Sequence, residues 1–288
     1  MSLRLEYGRV GNWAERYFPV FKIKISSLLQ LLLPYLFFLT AWQIAAVTVQ
    51  YFKGAPFPTP FATLARGFEL LTGEYFLQHS IYEHLFASLT RWGIGFGLAA
   101  AIGLATGIVT TISRGVDKLL MPITAFLQPI PSLAWIPLAV LLLGLGNQST
   151  IFIIFLAGVF PIVISVSAGI HSIPKGLIRA AQMMGADKRN IFFRVLLPGA
   201  MPHLLTGLRA ALANGWRALI AAEMVAGTDL GLGYAIFQAR WSLDYPSAFV
   251  AMIIIALIGL LIERGIFKKI ETKTVEIWGM SNQGGGQC

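Results

Sequence analysis

From Leu28 to Val49 the chain carries no charged residue, and this stretch limits its folding more than any other feature. A bilayer core takes about 20 helical residues to cross, and in lipid the backbone polar groups of a span must be satisfied within protein. Five further stretches have similar character: His84–Ile112, Leu119–Leu143, Thr150–Ile170, Leu204–Ala226 and Pro246–Ile262. Only 12% of the residues are charged, against about a quarter in a soluble domain. The expectation is an all-α polytopic membrane protein with six transmembrane helices, with the lipid bilayer as solvent and no nucleic-acid partner. The one cysteine, Cys288, excludes an intrachain disulfide or a cysteine-rich metal site.

The net charge of +9 is informative through its distribution. Six spans alternate sides. With the N-terminus inside, the inner segments hold five basic residues before the first span, Arg114 and Lys118, five in the 172–198 loop, and Arg264, Lys268, Lys269 and Lys273. Only Lys53, Arg66, Arg91 and Arg240 fall outside. The excess places both termini and the 172–198 loop in the cytoplasm. Residues 1–27 read as an interfacial segment with interleaved cations and aromatics, 28–270 as the six-span domain, and 271–288 as a tail with a disordered end. The N-terminus lacks the pattern of a cleavable signal peptide.

The spans differ in texture. Gly95, Ala99 and Gly103 are spaced four apart, which lets another helix approach closely. Arg91 lies near the outer end of the second span, within snorkelling reach. The third span is broken by Pro122, by Gln128-Pro129-Ile130-Pro131 and by Pro137. Such breaks suit either a packed kink or a helix lining a cavity. Pro161 sits inside the fourth span. The fifth span holds Arg209, Arg217 and Glu223. Ionised residues in a span are functional-site candidates by default. Arg209 is close enough to the cytoplasmic end to snorkel, whereas for Arg217 and Glu223 a pathway role and a structural ion pair both stand. Outside the spans, Phe61–Leu71 reads as a short amphipathic helix at an interface and Thr228–Tyr245 as an outer segment.

The polar stretch Ser172–Pro202 interrupts two apolar blocks. Ile173, Leu177, Ile178, Ala181 and Met184 fall along one side of a helix. Gly185 is placed to end it in a left-handed conformation, and Asp187 to cap a second short helix carrying Ile191, Phe192 and Val195. Pro198 is expected to stop the pattern. The result is a cation-rich surface suited to a partner.

Ala180-Ala181, then Gly185, then Val195-Leu196-Leu197-Pro198 resembles the EAA loop of binding-protein-dependent ABC importer permeases. Arg179 stands where the motif has Glu, and Val195 where it has Ile. Further segments are similar to the nitrate/sulfonate/taurine branch, which also includes bicarbonate importers: Glu83-His84-Leu85-x-x-Ser88-Leu89-Thr90-Arg91, Pro129-x-Pro131-x-x-Ala134-Trp135-x-Pro137, Leu197-Pro198-Gly199-Ala200-x-Pro202, Thr206-Gly207-Leu208-Arg209 and Ala221-Ala222-Glu223-Met224. They run in family order over roughly residues 30–270. The resemblance implies a MetI-like permease bundle in a prokaryotic inner membrane, a second copy of the subunit, two cytoplasmic ATPase subunits and an extracytoplasmic substrate-binding protein. It also implies that the ATPase-coupling residues are Arg179, Ala180, Ala181, Gly185, Ala186, Asp187, Lys188, Arg189, Ile191, Phe192, Leu197 and Pro198, with Ala181 and Gly185 as the close-approach positions.

No glycine loop with Lys-Ser/Thr is present to cradle phosphates, so no cofactor is expected on this chain, and ATP with Mg belongs to the partner ATPase. The four histidines, His79, His84, His171 and His203, show no ligand-like pairing beyond His79 and His84, which lie five apart, and read as interfacial. With no nucleophile–base constellation visible, no catalytic residues are assigned. The pathway candidates are Gln128, Pro129, Pro131, Ser132, Trp135, Asn214, Arg217 and Glu223. The resemblance implies ATP-driven, binding-protein-dependent import by alternating access, and two copies of Arg217 in a dimer would give a positive potential that favours a small anion of the sulfonate/taurine, nitrate or bicarbonate class. The alternatives are a vitamin or pyrimidine-like solute in the same branch, a stand-alone secondary transporter, which also uses broken helices and intramembrane charges, and a membrane-anchored enzyme.

Overall fold

The structure, a computed structural model, describes residues 25–267, with side chains from 32 to 265. Of the expected terminal segments, 271–288 lies outside the described residues and 1–27 almost wholly so. Two units are distinguished, 1–60 and 61–288. In the first, α1 (Ile25–Lys53) carries no charge before its last residue, Lys53. Gly54, at φ 61°, ends it. The Pro-rich segment then folds back along the helix, Trp42 Nε1 donating to the Pro58 carbonyl at 3.0 Å and Gln50 Nε2 to that of Phe57 at 2.7 Å.

The second unit begins within the amphipathic helix α2 (Pro60–Leu71), and β1 (Tyr75–Phe76) pairs antiparallel with β2 (His79–Ser80). Ser80 and Glu83 close a reciprocal capping box that starts α3 (Ile81–Ile112). Each side chain satisfies a backbone donor left open at the helix start. Next come α4 (Arg114–Leu127), a 3₁₀ turn at Ser132–Trp135, α5 (Ile136–Leu143) and α6 (Asn147–His171). The 172–198 loop forms α7 (Lys175–Met183) and α8 (Lys188–Ile191), and a π turn at Phe192–Leu196 leads into α9 (Leu197–Val225). The chain finishes with α10 (Leu232–Ser242) and α11 (Tyr245–Leu261). Among the described residues, five helical segments are long and apolar enough to cross a membrane, or six when the pair flanking the 128–131 break, bent by 102°, counts as one span.

Helices α3, α6 and α9 make the core. In lipid, helices associate by close packing more than by the hydrophobic effect, so small residues set the seam. A Cβ added at Gly95 would lie 2.7 Å from Ile154, at Gly103 2.9 Å from Ile162, and at Gly107 2.6 Å from Val166; one added at Gly158 would lie 2.9 Å from the Ala99 methyl. The four-residue repeat on α3 thus meets a four-residue repeat on α6. On the other side of α6, Gly207 of α9 abuts Ser165, and Gly169 abuts His203.

One local expectation fails. Pro198 does not stop the helix: a continuous apolar helical run extends from Lys188 to Val225. Proline at 198 lacks an N–H and its ring crowds the carbonyl one turn back, and the wider π turn just before it makes the room. The outer segment after the fifth span is largely helical, because Leu232, Ala235 and Ala239 form a buried side for α10.

Candidate functional site

A cavity of about 270 Å³ opens at the break between α4 and α5. Two prolines make the break. Neither Pro129 nor Pro131 has an N–H, and each disfavours helix in the residue before it. Ile130 N–H bonds back to Leu127 O at 3.1 Å and Ala134 N–H to Pro131 O at 2.9 Å. Gln128, Pro129, Ile130, Pro131, Ser132 and Trp135 line the cavity from this side, Leu156, Ala157, Phe160 and Pro161 from α6, and Asn214 and Arg217 from α9. Pro161 deprives the Ala157 carbonyl of its helical donor. Arg217 Nη2 donates to Asn214 Oδ1 at 2.7 Å. No carboxylate is among the lining residues.

Seven of the eight pathway candidates therefore meet in one place: Gln128, Pro129, Pro131, Ser132, Trp135, Asn214 and Arg217. The eighth, Glu223, is elsewhere. Leu156, Ala157 and Phe160 were not singled out in the sequence, where only Pro161 marked that side.

Glu223 is 1% exposed and lies at the end of the bundle opposite the 172–198 loop. Arg91 of α3, 7% exposed, donates through Nη1 to Glu223 Oε1 at 2.7 Å and to the Leu230 carbonyl at 2.6 Å, and through Nε to Asn147 Oδ1 at 2.6 Å. The Ser88 hydroxyl lies 2.9 Å from both carboxylate oxygens and accepts the Leu232 N–H. Gly233 N–H donates to Oε2 at 2.9 Å. His84, wholly buried, accepts the Gly231 N–H at Nδ1 and so donates from Nε2 to the Phe76 carbonyl. This knot ties α3, α9, the start of α6 and the segment leading into α10. A Cβ at Gly231, φ 142°, would sit 2.5 Å from the Glu223 carboxyl carbon. The snorkelling expected of Arg91 is thus replaced by burial, because Glu223, Asn147 and the Leu230 carbonyl satisfy it inside the protein. Arg209 pairs with Glu263 at 3.0 Å, both half-exposed.

In the 172–198 loop, α7 ends in a two-bond turn. Ala186 N–H reaches Ala181 O and Gly185 N–H reaches Gln182 O, both at 3.0 Å, with Gly185 at φ 79°. Asp187 caps α8 by accepting Asn190 N–H at 2.9 Å. Arg179, Lys188 and Arg189 are exposed, as are Leu177, Met183 and Met184. Ala180, Ala186, Phe192, Leu197 and Pro198 are half-buried. Ala181, expected as a close-approach position, is instead buried within the chain, and so is Ile191. Each lies on the side of its short helix that packs on the protein, which leaves Gly185 and the exposed apolar and cationic residues on the open side.

Three comparisons with known proteins bear on this arrangement. Residues 86–274 match the family of binding-protein-dependent transport system inner membrane components. The chain is 36% identical to the taurine transport system permease protein TauC of Escherichia coli, over 79% of this chain and 82% of that one. It is 34% identical to the nitrate import permease protein NrtB of Synechocystis, again over 79% and 82%, and 35% identical to the bicarbonate transport system permease protein CmpB of the same organism, over 80% and 82%. In fold it resembles a chain of the MetNI methionine ABC transporter in an inward-facing conformation, with a TM-score of 0.58 and 21% identity, covering 67% of this chain and 95% of that chain. With a broken span beside α6 and α9, a glycine seam through its core and more than half its length matched, the chain belongs to the family of binding-protein-dependent transport system inner membrane components.

Proposed function

We propose that this chain is the permease subunit of an ATP-driven, binding-protein-dependent importer that moves a small anion of the sulfonate, nitrate or bicarbonate class into the cytoplasm by alternating access. The observation that carries the anion assignment is the charge balance. Arg217 lines a cavity with no carboxylate in its wall; Glu223 on the same helix is consumed by Arg91, and Glu263, which shares a second cavity with Arg217, pairs with Arg209 at 3.0 Å. An uncompensated cation beside a low-dielectric wall raises the local concentration of anions. The taurine, nitrate and bicarbonate relatives support the same class.

In this reading the complex contains a second copy of the chain, two ATPase subunits and an extracytoplasmic binding protein. Both termini lie in the cytoplasm, on the side where the partner ATPases bind ATP and Mg. Closure of those subunits moves the 172–198 loops and tilts the bundle, and hydrolysis resets it. The test is uptake into liposomes holding the reconstituted complex, with loaded binding protein outside the substrate-entry face and ATP at the ATPases. ATP-dependent uptake of one of these anions, weakened at least tenfold by Arg217→Gln, is expected. Uptake of a neutral or cationic solute that is unaffected by Arg217→Gln overturns the anion assignment. Uptake without any ATPase overturns the importer assignment in favour of a secondary transporter.

A further inference from the structure

The contact between Asn214 and Arg217 fixes more than one side chain. A guanidinium has donors only, so the oxygen of the Asn214 amide is the end that faces Arg217 Nη2, at 2.7 Å. The other end of that amide carries two N–H donors, and Asn214 also lines the cavity. The bond spans one turn of α9, the spacing at which helical side chains meet. It uses one donor of a five-donor fork and leaves the others for a ligand. Across the cavity stand Ser132 and Gln128, which can donate or accept, and Trp135. The polar side of α9 therefore presents donors and positive charge to this cavity, whose lining holds no carboxylate.

We infer that Asn214 is a second anion-recognition residue: it orients the Arg217 guanidinium and adds its own amide donors, so that the pair selects a compact oxyanion. This rests on the cavity being the anion pathway. The arrangement suits a planar or tetrahedral group with two or three equivalent oxygens, a nitrate, carbonate or sulfonate head, because two adjacent donor groups can engage separate oxygens. It disfavours a neutral heterocycle, whose mix of donors and acceptors would leave donors on one side unmatched.

The experiment compares Asn214→Asp, Asn214→Leu and Asn214→Thr in the full complex, reconstituted in liposomes with ATPase and binding protein, using radiolabelled taurine, nitrate and bicarbonate as probes. The order of the variants separates recognition from a structural role. Asp keeps the bond to Arg217 but replaces two donors by a negative charge. Leu fills similar space with neither. A residue that only holds the helix together predicts Asp above Leu. Anion recognition predicts Asp lowest, at least tenfold below the parent, with membrane insertion and thermal midpoint retained, and Leu intermediate. Asp equal to or better than Leu overturns the inference. Should the Asp variant fail to insert, Thr against Leu decides: Thr, which keeps a hydroxyl, is expected to retain severalfold more uptake, and equal uptake overturns the inference. If the parent transports an anion but every Asn214 variant matches it, only this inference falls. If the parent transports none of the anions, the reading of the cavity itself falls.

Discussion

The Arg91 guanidinium meets the Glu223 carboxylate at 2.7 Å, although 132 positions separate them in the chain. Both are buried, and further bonds run from them to Ser88, Asn147, the Leu230 carbonyl and the Gly233 N–H. This sets Glu223 apart from Arg217, the other charge deep in the fifth span, in its surroundings. Glu223 is a fastener between helices, whereas Arg217 keeps its charge toward the cavity. Membrane-buried charges usually pair or face water; on α9, Glu223 and Arg209 are paired and Arg217 lines the cavity.

Removing one partner of a buried pair leaves the other charged in a low-dielectric site, typically at a cost of about 3–5 kcal/mol. Arg91→Met is expected to lower the thermal midpoint of the detergent-solubilised protein sharply. Glu223→Gln keeps an acceptor oxygen and should do less. The double variant Arg91→Met/Glu223→Gln should recover part of the loss of Arg91→Met, since no unpaired charge remains. A double variant no more stable than Arg91→Met would show that packing, not charge, dominates there.

On α3 two glycines predict opposite outcomes. A Cβ at Gly103 lies 2.9 Å from Ile162, while one at Gly97 meets nothing within 4 Å. Gly103→Ala must push α3 away from α6 and is expected to destabilise. Gly97→Ala relieves the helix of a flexible residue and should gain up to about 1 kcal/mol. Thermal denaturation of the two variants side by side tests the seam. A neutral Gly103→Ala would mean that α3 can shift freely.

The cavity was legible because its makers are conspicuous: prolines in an apolar run, and Asn214 and Arg217 in a span. Its other wall was not, since Leu156 and Phe160 look like any lipid-facing residue until α6 is placed. Ser88, Arg91 and Glu223 each stood within a recognisable segment, yet nothing in local spacing pairs two spans across the bundle. From its place near a span end alone, Arg91 lies within snorkelling reach. Pro198 misled for the converse reason: its local rule is to break a helix, and a π turn, which depends on the surrounding packing, absorbed the conflict.

The broken span predicts an accessibility pattern. With Cys288 replaced, single cysteines at Gln128, Ser132 and Trp135 are expected to react with a polar thiol reagent and to change rate between ATP-bound and nucleotide-free complexes. A cysteine at Ser88, wholly buried in the Arg91–Glu223 knot, should stay protected in both. Uniform protection at the first three positions would leave the prolines as a packed kink and remove the pathway role from this segment.

The final expectation concerns Gly185. Its φ of 79° belongs to a region that β-branched residues tolerate poorly and that Asn enters more readily. A Cβ there meets nothing within 4 Å, so any effect of substitution acts through the backbone or through a partner, not through a clash within the chain. Forcing Val into this conformation costs on the order of 1–3 kcal/mol, enough to open the turn in which Ala186 N–H bonds Ala181 O. Gly185→Val should therefore leave the protein inserted but weaken its association with the ATPase, or uncouple hydrolysis from uptake. Gly185→Asn should retain most of the association, because it can keep the turn. Replacing Lys188 and Arg189 by Ala should do less than Gly185→Val, since exposed charges at a rim each contribute about 0–1 kcal/mol. Co-purification with the ATPase, and ATPase activity with and without loaded binding protein, measure all three. Normal association and normal stimulation in Gly185→Val would remove the 172–198 loop from the transmission of force. If Gly185→Asn fails as badly as Val, the partner needs the bare backbone at this position, and the left-handed turn alone is not what couples the subunits.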